Sequence, residues 1–96
     1  VEAALERGLA ELAELVSYPS VAAQFAGNDS PDSPMIGCAE KVAELFRARG
    51  LEAQLLPTEG GPPVVFAEDR SAGVDAPTVL FYNHYDVQPA EPYDLW

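Results

Sequence analysis

The stretch Thr78-Val79-Leu80-Phe81-Tyr82-Asn83-His84-Tyr85-Asp86-Val87-Gln88-Pro89 decides how the rest of the chain is read. Residues 78–82 read as a buried strand, apolar on both faces, as expected for a central position covered by helices. The single histidine of the chain, His84, follows almost at once, and Asp86 comes two positions later. In extended backbone, side chains at i and i+2 point to the same side. His84 and Asp86 therefore face one site together, suited either to a metal ligand with its orienting carboxylate or to a general base with its orienter. Each also has a plainer use, since a lone histidine at a strand end is often structural and Asp86 can turn the backbone ahead of Pro89.

Upstream of this stretch, residues 64–67 form a second expected strand. Its expected partner is 78–82, reached through the polar segment 68–76, a longer connection than the usual hairpin. Residues 51–56 alternate Leu51, Ala53 and Leu55 against Glu52 and Gln54, which predicts a strand near a sheet edge with one wetter face. The run Gly60-Gly61-Pro62-Pro63 makes a turn, and without a following lysine and hydroxyl residue it is no phosphate-binding loop.

Leu5, Leu9, Leu12 and Val16 recur at helical spacing and predict an amphipathic helix over 3–17. Arg7, Glu11 and Glu14 project from the opposite side and read as a solvated face. Tyr18-Pro19 ends the helix, because proline disfavours helical backbone in the residue before it. Residues 20–33 have no period and read as an exposed loop, either a plain connector or the border of a site. Ser33-Pro34 opens a second helix, with the serine capping free amides, and Gly50 closes it. Met35, Cys38, Ala39, Val42, Leu45 and Phe46 share its apolar face, so Cys38 reads as a buried structural thiol. Two helices followed by three strands predict a layered α/β unit with a short mixed sheet. The His84 loop then leaves the C-terminal end of the innermost strand, where open α/β sheets commonly bind ligands.

Composition narrows the function classes. A chain of 96 residues makes one small domain at most, able to bury roughly 60 to 70% of its unfolded surface. Sixteen acidic and five basic residues give a formal charge of −11, which disfavours nucleic acid or an anionic membrane as partner and leaves cations, metal ions included, compatible. One cysteine cannot form an internal disulfide, and the simplest setting is a reducing, cytoplasmic one. The N-terminus lacks the pattern of a targeting signal. Val1 in place of a methionine, and a pattern that runs into Trp96, read as a piece of a longer protein.

The run from Leu80 to Pro89, followed by Glu91-Pro92 and Leu95-Trp96, closely resembles the first metal-ligand motif of the M20 metallopeptidases. The likeness is strongest to their dipeptidase branch, with its carnosinase-like and nonspecific dipeptidases. Pro19-Ser20-Val21 resembles the motif after that family's first helix, and the second helix, the Gly50 turn and the strand at 63–67 fall in matching order. Asn83 stands where a glycine is common in the family. The resemblance implies that residues 1–96 are the N-terminal portion of a three-layer, zinc-peptidase-like catalytic domain, with the remainder of the site and a smaller domain outside them.

It further implies that His84 binds one of two divalent ions, zinc foremost with manganese or cobalt as the other choices, and that Asp86 is a catalytic residue holding the metal-bound imidazole. In the family a bridging aspartate, an adjacent pair of glutamates, a further acidic ligand and a second histidine complete the site. None of these is matched here, since only Glu91 and Asp94 follow Asp86 as acids. The implied activity is hydrolysis of a dipeptide or acyl-amide bond in a small substrate by the full-length protein, for which the resemblance also implies a homodimer, while these 96 residues alone are expected to be inactive. The rival reading is a noncatalytic binding or regulatory module that keeps the scaffold. A metal-free hydrolase lacks a nucleophile, because none of Ser17, Ser20, Ser30, Ser33 and Ser71 sits in a Gly-x-Ser-x-Gly elbow.

Overall fold

The computed structural model describes residues 1–96, and its order follows the periodicities of the sequence. Helix α1 spans Glu2–Val16 and helix α2 spans Pro34–Arg47; strand β1 spans Glu52–Leu56 and strand β2 spans Val64–Glu68. Single turns of 3-10 helix occur at Ala22–Gln24 and Tyr93–Leu95. The α/β class with two helices and a short sheet is as the sequence predicts. No helix is long and apolar enough to cross a membrane.

Helix α2 is the centre of the molecule. Met35, Cys38, Ala39 and Ala43 on one of its faces are buried, and the small side chains at 38, 39 and 43 let the helix sit close against its neighbours. Pro34 stands at its start, where a missing N–H costs nothing. Ser33 precedes it in extended conformation but makes no side-chain cap bond, contrary to the capping role expected from its position. At the other end the Leu51 amide donates to the Phe46 carbonyl and the Gly50 amide to the Arg47 carbonyl. This is a Schellman termination, and it places Gly50 at φ +86°, where a Cβ is disfavoured. Arg47 then donates from Nε and Nη2 to the Ala53 carbonyl, at 3.1 and 2.8 Å, tying the end of the helix to β1.

The sheet differs from the expected one. Strand β2 pairs antiparallel with β1, from Glu52 opposite Glu68 to Leu56 opposite Val64, with the Gly60-Gly61-Pro62-Pro63 turn between them. Ala53, Leu55, Val65 and Ala67 alternate inward, and α2 packs on the sheet. The sheet is thus two-stranded and antiparallel rather than mixed. Residues 78–82 form no strand and pair with neither β1 nor β2. Val79, Leu80, Phe81 and Tyr82 are 72, 85, 90 and 92% exposed. A strand apolar on both faces needs neighbours beside it and cover above and below, and α2 covers only the hairpin.

Helix α1 also departs from expectation. Its leucine stripe is left largely uncovered, with Leu5, Leu9, Leu12 and Val16 all more than half exposed. Two of its acidic residues, rather than the stripe, make the ion pairs to α2 and the turn after it. Glu11 pairs with Arg49 and with Arg7, and Glu14 pairs with Lys41 at 2.9 Å. Between the helices lies an open groove of about 280 Å³ whose apolar lining is Leu12, Leu15, Val42, Leu45 and Phe46.

Candidate active site

The C-terminal stretch is tied to the rest of the molecule at residues 85–87. Tyr85 lies between His84 and Asp86, and alternation turns its side chain away from theirs and into the molecule. Its hydroxyl donates to the Pro63 carbonyl in the β1–β2 turn. Its carbonyl accepts from Ser20 Oγ at 3.1 Å and from Cys38 Sγ at 3.6 Å. The Val87 amide donates to the Ser20 carbonyl at 2.9 Å, and Val21 and Val87 form a parallel bridge.

Ser20 is fully buried and Phe25 nearly so, so the segment 20–33 is no mere exposed connector. It borders the His84–Asp86 stretch. The positions of Ser20 and Tyr85 escape single-sequence reading for different reasons. A serine in a polar loop carries no periodic signal, whereas Tyr85 could have been found, because alternation about His84 and Asp86 requires it to face inward.

On the outer side His84 Nδ1 lies 2.9 Å from Asp86 Oδ1 and 3.1 Å from the Asp86 carbonyl oxygen. A backbone carbonyl can only accept, so Nδ1 must carry the proton and donate to both. The neutral imidazole is thereby held in its Nδ1–H form, with the Nε2 lone pair free for another partner. The His84 side chain is 75% exposed and that of Asp86 33%, which leaves the ring open to a ligand while its partner is half sheltered. The expected facing of the two side chains is therefore observed, although the strand expected to present them is not formed.

Titration of the surroundings follows from burial. The Cys38 thiol is pushed up chiefly by desolvation, with the Ser20 contact opposing, so it remains a thiol and a poor nucleophile. Tyr85 is pushed up to about 12, first by burial and then by the charges of Cys38 and Asp86.

A metal ion fits this arrangement at one point. A neutral imidazole oriented by a carboxylate is the donor chemistry of a histidine ligand and its outer partner, but no group of three or more His, Cys, Asp or Glu side chains is placed to hold a metal ion. A mononuclear zinc site takes about three or four protein ligands, so His84 and Asp86 supply only part of one.

No protein-family model matches the chain, and no solved structure matches it. Among curated proteins it is similar to a cysteinylglycine-S-conjugate dipeptidase of Corynebacterium striatum, with 33% identity over 91 residues. That alignment takes in 95% of this chain and 19% of the relative, so the chain spans about a fifth of the length of the dipeptidase it resembles.

Proposed function

We propose that this chain is the N-terminal portion of the catalytic domain of an M20-type metallopeptidase of the dipeptidase kind, which hydrolyses a dipeptide or acyl-amide bond in a small substrate. The observation that carries the reading is the His84–Asp86 pair, with Nδ1 donating to the carboxylate at 2.9 Å and Nε2 left free. Similarity to a dipeptidase along 95% of the chain supports it, as does the motif around His84. His84 is a metal ligand through Nε2, and Asp86 fixes its tautomer and angle. His84 would hold one of two zinc-class ions, which would supply Lewis acidity for the scissile carbonyl and for a water. The chain's own residues do the rest of what falls to this portion: Asp86 holds the His84 Nδ1 proton, and Tyr85 anchors both neighbours to the β1–β2 turn.

The rest of the ligand set and the general base belong to the remainder of the protein on this reading. The acidic surface, with a formal charge of −11, favours a second reading, in which the scaffold serves as a noncatalytic binding module. The two separate in the full-length protein. The peptidase reading expects dipeptide hydrolysis that a chelator abolishes and added zinc restores. Asp86→Asn is expected to lower it by roughly the 10- to 100-fold that loss of an orienting partner costs, and His84→Ala by more. A full-length protein without peptidase activity at any divalent-ion loading would favour the module.

A further inference from the structure

We infer that Ser20 is a positioning residue for the His84–Asp86 pair, a role that rests on the reading of that pair given above. Ser20 is fully buried and makes two bonds to one short piece of backbone. Its hydroxyl donates to the carbonyl of Tyr85 at 3.1 Å, and its own carbonyl accepts the amide of Val87 at 2.9 Å. These two backbone groups bracket Asp86. One residue thus grips the chain immediately before and immediately after the carboxylate that orients the imidazole, and restrains the backbone from which that carboxylate projects.

The segment immediately before the pair shares none of the work, and the Tyr85 hydroxyl bond to Pro63 holds the side chain rather than the backbone beside Asp86. Residues 77–83 make no backbone–backbone hydrogen bond, so the pair takes no orientation from a strand. The remaining donor to the Tyr85 carbonyl is the Cys38 thiol at 3.6 Å, and a thiol is a weak donor. Loss of the Ser20 hydroxyl leaves the carbonyl with that partner alone and only the Val87 side of the grip in place, which loosens the backbone ahead of Asp86 and lets its carboxylate turn off His84 Nδ1. Ser20 touches neither the imidazole nor the carboxylate, and it acts through the backbone between them.

The imidazole tautomer reports this directly. In long-range proton–nitrogen spectra of the full-length protein the His84 imidazole is identified as the ring whose signals are lost in His84→Ala. At mildly alkaline pH the wild type is expected to show Nδ1 as the protonated nitrogen and Nε2 as the bare one. In Ser20→Ala the two nitrogen shifts are expected to move toward each other, as the ring drifts to the mixture of tautomers of a free histidine. Ser20→Thr keeps the hydroxyl and controls for packing; it is expected to retain the wild-type pattern.

Asp86→Asn separates this inference from the reading beneath it. If Asp86→Asn shifts the tautomer and Ser20→Ala does not, the pair stands and the role of Ser20 is overturned. An equal shift in Ser20→Thr and Ser20→Ala also overturns it, because packing rather than the hydroxyl would then hold the segment. A wild-type ring already protonated at Nε2 overturns the pair itself.

Discussion

At Tyr85 a single phenol joins the outer pair to the interior. Its hydroxyl bond to Pro63 anchors the residue between His84 and Asp86 to the hairpin turn. Tyr85→Phe is expected to cost about 0.5–1.5 kcal/mol, the net worth of one such bond, read as a lower urea midpoint. The pH dependence has a definite sign. Its pKa in the folded chain is raised to about 12, so its contribution is complete below the ordinary tyrosine range near pH 10. That contribution declines as pH rises through the folded value. Stability should therefore fall between about pH 10 and 12 in the wild type, and this part of the fall should be missing in Tyr85→Phe. The His84–Asp86 facing was legible because an i, i+2 relation survives in any extended backbone. The grip of Ser20 was not, because it joins residues 65 positions apart through a loop without periodicity.

Among the elements, α2, β1 and β2 were legible because each has a partner for the face its pattern makes apolar. Helix α1 was legible as a helix, but its orientation was not. A stripe of Leu5, Leu9, Leu12 and Val16 outweighs an acidic face in any count of apolar residues, whereas Lys41 on α2 and Arg49 just beyond its end pair with Glu14 and Glu11. Glu11 is held below the usual carboxylate range, first by its bond to Arg49 and then by Arg7. Lys41 is held above its usual range, first by Glu14. The helix seam is thus tightest between those ranges. It loosens as pH falls through the lowered value for Glu11, and again as pH rises through the raised value for Lys41. Protection of the α1 amides, taken relative to the intrinsic exchange rate at each pH, should fall in acid, and Glu11→Gln should show the lower protection already at neutral pH.

Two substitutions test the packing of α2. Gly50→Ala meets no atom within 4 Å, so its expected cost of about 1–2 kcal/mol is backbone strain alone. Ala43→Leu, at a fully buried position, is expected to cost about 1–3 kcal/mol through overpacking. Thermal or urea unfolding separates both from a surface substitution such as Glu40→Gln, which should change little.

The whole molecule buries 7 of its 96 residues and has a radius of gyration of 15.6 Å, against about 12 Å for a compact domain of this length. Two apolar features account for the difference: the outer stripe of α1 and the unpaired segment 78–82. The strand-like composition of 78–82 was legible, but a strand is a property of its neighbours as well, and 78–82 pairs with neither β1 nor β2. With its backbone groups unpaired and its apolar side chains exposed, this segment is a template for pairing with another chain. The 96 residues in isolation are expected to associate at high concentration, and Phe81→Glu is expected to suppress the association. Light scattering from a stable wild-type monomer at high concentration would contradict this.

The account rests most on His84 as a metal ligand of a peptidase. Its most direct test is the metal content and dipeptide hydrolysis of the full-length protein, measured side by side for wild type and His84→Ala. The account predicts zinc-dependent hydrolysis in the wild type, with both bound zinc and turnover lost in the variant. Unchanged zinc content and unchanged turnover in His84→Ala would contradict it.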